Sequence, residues 1–168
     1  MSFPILTILA LLPLIGGAIV LGVKGRSGRA TGLVISIVTA VLGVIAFIAA
    51  ANGTDVSENY HWIKAIGAWY ALSSDGLGMT LVLMTVILVP VVLLAEWNIG
   101  EKKPSDGTQT WGANVFSGLA LMTEGLAIYC FTAVDVLFFY LIFEASLVPM
   151  YFLISGWGGA RPVSYTHL

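Results

Sequence analysis

The residue whose type and position most clearly indicate chemistry is Glu144, a lone acid in the middle of the apolar run Val136–Trp157. That run exceeds the roughly 20 residues that a transmembrane helix requires. A carboxylate at the bilayer centre costs about 3 kcal/mol, so it usually faces a protein interior or a hydrated cavity. Pro149 follows in the next turn and, because it has no backbone N–H, leaves the carbonyl of Ala145 without its helical donor. We therefore predict a kink and a spare acceptor beside Glu144, a suitable place for water.

A second acid, Glu124, lies at a similar depth in the preceding apolar run. The two runs are joined near Val134 by a very short connection, so we expect a tight helical hairpin with each glutamate about ten residues from its turn. At about 1.5 Å per residue, each acid is then roughly 15 Å from the end of the hairpin, which is the midplane of a hydrocarbon core of about 30 Å. The alternative is that each acid is protonated, or bonded to a neighbouring helix, and only fixes packing.

Supporting residues surround Glu144 on the same helix. Tyr140, Glu144 and Tyr151 share one helix face, so a phenol could hydrogen-bond the carboxylate. Asp135 stands at the head of the same run, where an aspartate is a favourable N-cap. No lysine or arginine lies within an apolar run, so a cation that paired with Glu144 in a proton relay would come from elsewhere.

Helices must position these acids. The chain is 58% hydrophobic and 10% charged, whereas soluble domains carry about 25% charged residues, so a soluble globular domain is excluded. We predict an all-α membrane protein with spans at about 3–23, 30–51, 76–97, 113–134 and 136–157. Residues 1–161 are interpreted as a single membrane domain, and 162–168 as a tail that does not look native.

The loop charges predict an orientation with the N-terminus outside, because basic residues concentrate on the cytoplasmic side. The inner loops then hold Lys24, Arg26, Arg29, Lys102, Lys103 and Arg161, and the outer ones hold only Lys64. Aromatic residues fit the same arrangement, with Tyr60, Trp62, Trp69 and Tyr70 at one interface and Trp97, Trp111 and Trp157 at the other. The first run has no basic region before it, so we interpret it as a retained helix and not as a secretory signal.

The loop 52–75 is the longest connection between the first four runs, and we expect it to form an ordered cap over the outer ends of the helices. Cys130 is the single cysteine and lies in an apolar run. The sequence has no glycine-rich phosphate loop and no Cys/His cluster, so we expect no metal or cofactor in this chain and no nucleic-acid partner.

One segment carries a family resemblance. Phe143–Gly159 contains Glu144 followed by Pro149, Met150 and Tyr151, and it resembles subunit M of the proton-translocating NADH:quinone oxidoreductase (respiratory complex I; subunit 4 in mitochondria). Shorter likenesses lie upstream at Asp135, in the piece Asp75–Leu77 and in the piece His61–Ile63. The likeness covers most of residues 1–160, and the Glu, Pro, Met and Tyr pattern separates this subunit from its antiporter-like sisters.

The resemblance implies that the chain is the N-terminal part of an antiporter-like fold of about fourteen helices built on inverted repeats. It implies that Glu144 is the essential glutamate of the fifth helix, which pairs with a lysine on a seventh helix, and that Glu124 matches a membrane acid of the fourth. The partners it implies are the lipid bilayer and other membrane subunits, especially the L- and N-type ones. NADH, flavin, iron–sulfur clusters and quinone are expected on other subunits. The resemblance also implies that the chain is located in the bacterial inner membrane.

The functional hypothesis is therefore a membrane-arm subunit that couples quinone reduction to proton translocation through buried carboxylates, an enzyme only as part of its complex. Two alternatives stay open at this point. One is a subunit of a multisubunit cation/proton antiporter with the same fold. The other is a structural membrane scaffold whose buried acids are packing elements.

Overall fold

The structure is a computed structural model that describes residues 4–23, 25–97 and 111–157. Its five helices are α1 (Ile5–Gly22), α2 (Arg26–Ala51), α3 (Gly76–Ala95), α4 (Ala113–Thr132) and α5 (Val136–Trp157). Between α2 and α3 lie two strands, β1 (Glu58–Ile63) and β2 (Ala68–Leu72), joined by the short 3-10 turn Lys64–Ile66. The loop cations Lys24, Lys102, Lys103 and Arg161 and the tail 162–168 fall outside the described residues.

The five helices confirm the predicted all-α membrane fold. Each is long and apolar enough to cross a membrane, and the chain is an integral membrane protein. The helix α4 ends at Thr132, two residues before the predicted boundary, because the chain beyond it pairs with β2. The Val134 N–H donates to the Ala71 carbonyl at 2.9 Å, and the Ser73 N–H donates to the Thr132 carbonyl at 2.7 Å.

The predicted cap over the helix ends is an antiparallel β-hairpin, which the sequence reasoning did not specify. Strand β1 pairs with β2 in a register that places Tyr60 opposite Tyr70 and His61 opposite Trp69. Aromatic residues of this kind favour strands. Gly67 occupies the left-handed region at φ 68°, a conformation that costs glycine little, and so it permits the tight return into β2.

Helix α4 is the centre of the bundle and packs most closely against α1. A Cβ atom built on Gly17 of α1 would lie 2.5 Å from the Gly118 carbonyl oxygen, and one built on Gly125 would lie 2.5 Å from the Ala10 carbonyl oxygen. Glycines at such positions let two membrane helices bring their backbones together. The helix also contacts α2, α3 and α5.

Helix α5, in contrast, lies at the edge of the bundle. In the 18-residue apolar stretch of α5, 11% of the residues are buried inside the described structure, against 61% in the corresponding stretch of α4. Its buried residues are Phe138, near the hairpin, and Pro149. The face of α5 that carries the candidate site is therefore not covered by the described part of the chain.

Candidate functional site

Glu124 lies in the middle of α4 and is buried, with 1% of its surface exposed. Within the described ranges, neither of its carboxylate oxygens has a hydrogen-bond partner. Because an isolated buried charge is very costly, this group must hold a proton or be matched by a donor that the described residues do not supply. Such a side chain is able to take up and release a proton.

Glu144 is in a different environment, since its side chain is exposed on the outer face of α5. Tyr140 and Tyr151 are also exposed, at 56% and 68%. The hydrogen bond between a phenol and Glu144 that the shared face suggested is not formed in residues 4–23, 25–97 and 111–157 of the structure. The structure also places no hydrogen bond between Glu124 and Glu144 in the same ranges, because Glu124 is unpartnered there.

Pro149 is buried within α5, and the helix continues through it from Val136 to Trp157. The missing N–H leaves the Ala145 carbonyl without its usual donor. Prolines also lie inside α1, at Pro13, and inside α3, at Pro90. Three of the five helices therefore contain a carbonyl that has lost its regular helical partner, which in a membrane is tolerated where protein or water supplies a substitute.

Asp135 lies at the N-terminus of α5 and serves two elements. Its Oδ1 accepts a hydrogen bond from the Phe138 N–H at 3.0 Å, and its Oδ2 accepts one from the Trp69 N–H of β2 at 3.1 Å. These backbone hydrogen bonds, first from Phe138 and then from Trp69, lower the pKa of Asp135. The side chain therefore caps α5 and fastens the hairpin to it.

A buried acid outside the predicted site is Glu58, at the start of β1, with 2% of its surface exposed. Its Oε1 accepts hydrogen bonds from the backbone N–H groups of Leu6 at 2.8 Å and Thr7 at 3.0 Å, and its Oε2 contacts the Thr7 hydroxyl. The first N–H groups of a helix have no partner within the helix, so Glu58 satisfies two of those of α1. No local pattern indicates this contact, because Leu6 and Glu58 are separated by 52 positions.

The same contacts continue from Thr7 into the bundle through two phenols. The Thr7 Oγ1 lies 2.6 Å from the Tyr70 Oη of β2, and the Tyr70 Oη lies 3.2 Å from the Tyr129 Oη of α4, with hydroxyl groups on both sides of each contact that are able to donate. Burial raises the pKa of Tyr70, which keeps this phenol protonated. We call the four side chains Glu58, Thr7, Tyr70 and Tyr129 the hydroxyl chain.

Metal binding has no support in the described part of the chain. In those ranges, no group of three or more His, Cys, Asp or Glu side chains is placed to hold a metal ion. The polar groups described above are carboxyl and hydroxyl groups, which suit proton transfer.

Comparison with known proteins gives a consistent set of relatives, although no protein-family model matches the chain. The chain is 33% identical over 183 residues to the NADH-quinone oxidoreductase subunit M of Mycobacterium tuberculosis, a match that covers 94% of this chain and 33% of the relative. It is 34% identical over 167 residues to an NAD(P)H-quinone oxidoreductase chain 4 of Synechococcus elongatus, covering 95% of this chain and 30% of the relative.

A third relative is the F(420)H(2) dehydrogenase subunit M of Methanosarcina mazei, 30% identical over 162 residues, with 94% of this chain and 31% of the relative covered. The chain thus spans about a third of the length of the curated relatives it matches. Among solved structures it is similar to a chain of respiratory complex I from Thermus thermophilus, with a TM-score of 0.69 and 28% identity over 86% of this chain and 27% of that one. These similarities are the ones that the motif around Glu144 predicts.

Proposed function

We propose that this chain is part of a proton-translocating membrane subunit of an NADH:quinone oxidoreductase, the subunit called M or chain 4 in its relatives. The observation that carries the proposal is Glu124, which is buried at the centre of a five-helix bundle and has no hydrogen-bond partner among the described residues. The similarity to subunit M over 94% of the chain supports it. A membrane acid without a fixed partner is a functional site by default.

In this proposal the two acids have different tasks. Glu144, on the uncovered face of α5, alternates between a protonated, unpaired state and an ionised state paired with a cation from a further helix. Glu124, enclosed within the bundle, exchanges a proton with the interior of the chain. An opposite charge within about 4–6 Å favours the ionised form of a carboxyl group, so approach or withdrawal of the cation controls whether Glu144 holds its proton.

Redox chemistry is assigned to other subunits in this proposal, because the chain has no motif for binding flavin, nicotinamide or an iron–sulfur cluster. Quinone reduction there drives the change of charge that reaches Glu144. The partners are other membrane subunits, including the L- and N-type ones. The membrane is the bacterial inner membrane, with the N-terminus outside.

The experiment that tests the proposal replaces Glu144 by Gln in the full-length subunit within the assembled complex. Gln keeps the shape and removes the proton-binding site, so we expect NADH-driven proton translocation to fall at least about tenfold, equivalent to about 1.4 kcal/mol. The measurement is the quench of a pH-gradient dye in inverted membrane vesicles, with the amount of assembled complex determined in parallel. Glu144→Asp, which keeps the carboxyl group, is expected to retain part of the activity.

Glu96→Gln is the matched control, because Glu96 is an exposed acid at the C-terminal end of α3. It should translocate protons as the wild type does. If Glu144→Gln assembles and translocates protons at the wild-type rate, Glu144 is a packing element and the scaffold reading replaces the proposal. If translocation persists without any link to quinone reduction, the chain belongs to an antiporter.

A further inference from the structure

The hydroxyl chain connects a buried acid near the hairpin to the helix that carries Glu124. Its members come from four elements: Glu58 from β1, Thr7 from α1, Tyr70 from β2 and Tyr129 from α4. Glu58 and Tyr129 are 2% and 5% exposed. A continuous row of oxygen atoms therefore runs from the hairpin into the bundle, largely out of contact with solvent.

The two oxygens of Glu58 have separate roles, and this separation allows the acid to bind a proton without losing its structural task. Oε1 accepts the backbone N–H groups of Leu6 and Thr7. Oε2 accepts a hydrogen bond from the Thr7 hydroxyl, its one hydrogen-bond partner in the described part of the chain. A proton on Oε2 would leave both backbone hydrogen bonds of Oε1 in place, so protonation does not release the N-terminus of α1.

Counting hydrogens shows that the row has two complete arrangements. Three contacts join Glu58, Thr7, Tyr70 and Tyr129 in series, and the three hydroxyl groups carry one hydrogen each. If Glu58 is ionised, all three contacts are filled only when every hydroxyl donates towards Glu58. If Glu58 is protonated, the acid donates to Thr7, Thr7 to Tyr70 and Tyr70 to Tyr129, and the Tyr129 hydrogen becomes available to a further acceptor.

We infer that the hydroxyl chain is a proton relay that carries a proton between Glu58 and Tyr129, with Glu124 as the group that exchanges it in the interior; this inference rests on the proposed function. In the inward direction Glu58 gives its proton to Thr7 while Thr7, Tyr70 and Tyr129 each pass their own hydrogen to the next oxygen. One proton enters at Glu58 and one leaves from Tyr129. The outward direction reverses every step, and rotation of the hydroxyl groups resets the row.

The step from Tyr129 to Glu124 runs along α4 for about 7.5 Å, at about 1.5 Å of rise per residue. Helix α1 borders this interval, since the Ala10 carbonyl faces Gly125, between the two residues. The neighbouring Leu9 carbonyl is buried and has lost its i+4 donor, because residue 13 is proline. We assign the step across this interval to a bridging water molecule, with the Leu9 carbonyl, the Tyr129 hydroxyl and the Glu124 carboxyl as its proposed partners.

A further titratable side chain near the relay is Tyr60 of β1, whose ring centroid lies 6.3 Å from that of Tyr70. It is 51% exposed, and its hydroxyl makes no hydrogen bond within the described ranges. Tyr60 is thus a phenol of the same hairpin that stands outside the row, and it provides a control.

The test uses a pair of variants at Thr7 in the full-length subunit of the assembled complex. Thr7→Val has nearly the shape of threonine and removes the hydroxyl, while Thr7→Ser keeps the hydroxyl and loses a methyl group. We expect Thr7→Val and Tyr70→Phe to lower NADH-driven proton translocation at least about tenfold. Thr7→Ser and Tyr60→Phe should translocate protons at close to the wild-type rate.

Other outcomes separate this inference from the function on which it rests. If Thr7→Val assembles and translocates protons normally while Glu124→Gln does not, the relay is wrong and the proposed function stands. If Thr7→Val and Thr7→Ser lose translocation equally, the hydroxyl has a structural role and the relay is again overturned. If Glu144→Gln assembles and translocates protons at the wild-type rate, the proposed function itself fails, whatever Thr7→Val does.

A direct readout accompanies the rates. The infrared O–H stretch of Tyr70, assigned by its loss in Tyr70→Phe, should shift when Glu58 is replaced by Gln, since Gln fixes one arrangement of the row. An unchanged band in Glu58→Gln would contradict the coupling between the acid and the phenol.

Discussion

The carboxylate of Asp135 joins two elements, α5 and β2, through hydrogen bonds to their backbone N–H groups. The effect of its charge on stability can be measured as a function of pH. The backbone hydrogen bonds from Phe138 and Trp69 lower its pKa from the ordinary value of 3.8. A carboxyl group with a lower pKa in the folded state stabilises the fold above the unfolded-state pKa, and that contribution disappears as the pH falls through the folded-state value. The window of pH dependence therefore lies below 3.8.

We expect Asp135→Asn to remove this pH dependence while leaving a cap in place, because Asn is also a good N-cap residue. The wild type should have the higher Tm at neutral pH, and its advantage over Asp135→Asn should shrink as the pH falls below 3.8. Thermal unfolding of the detergent-solubilised protein at a series of pH values measures this difference. A constant difference in Tm across the series would show that Asp135 contributes nothing through its charge.

The surroundings of a single side chain are predictable only when its partners lie close to it in the sequence. The position of Glu124 and Glu144 in the middle part of a helix could be predicted, because each acid interrupts an apolar run of known length. Their exposure could not, since the rotation of a helix is set by neighbours: Glu124 faces the bundle and Glu144 does not. Glu58 was missed because a loop glutamate has no local sign that it will meet a helix N-terminus 52 positions away.

The contact between α1 and α4 is the element-level feature most open to a test. Gly125 lies where a Cβ atom would meet backbone, at 2.5 Å from the Ala10 carbonyl oxygen. Backbone at that distance must move, so we expect Gly125→Ala to destabilise the protein by about 1–3 kcal/mol. Gly22, the last residue of α1, in contrast has no neighbouring atom within 4 Å of a built Cβ.

Gly22→Ala is therefore the control, and it should be neutral or slightly stabilising because alanine is the better helix former. The measurement is the Tm of both variants in the same detergent. Equal values of Tm for Gly125→Ala and the wild type would mean that the two helices are not in close contact.

At the level of elements, apolar length predicted all five helices, and the exact ends followed from contacts outside each helix. The end of α4 at Thr132 is an example, because the next residues pair with β2. The hairpin itself was predicted only as an ordered cap. Most of β1 is exposed, so its residues alternate poorly between apolar and polar. The sequence therefore lacks the period-two pattern that would have predicted a strand.

The whole molecule has one helix that is incompletely packed. Tyr140, Glu144 and Tyr151 lie on a face of α5 that the described residues leave uncovered. A bare carboxylate facing lipid is costly, and the chain spans about a third of its relatives. We therefore expect this face to be covered by further helices in the full-length subunit.

A spin label on Tyr151→Cys tests this expectation through its relaxation by oxygen, which concentrates in lipid. The accessibility to oxygen should be low in the assembled complex and should rise when residues 1–168 are reconstituted alone. A label on Ile45→Cys, at a position of α2 that is 50% exposed, gives a comparison within the same bundle. Equal accessibility of the Tyr151 label in the two preparations would show that the α5 face meets lipid in both.

The attachment of α4 and α5 to the hairpin constrains how the two acids can move. The carbonyl of Thr132, the N–H of Val134 and the side chain of Asp135 all bond to the segment 69–73. The helices that carry Glu124 and Glu144 are thus both anchored to the hairpin at adjacent ends. Sliding one helix past the other would break several of these hydrogen bonds at once. Tilt and rotation of α4 and α5 about the anchored ends therefore cost less free energy. Displacements of α4 and α5 during turnover are therefore expected to be greatest at the helix ends that lie far from the hairpin.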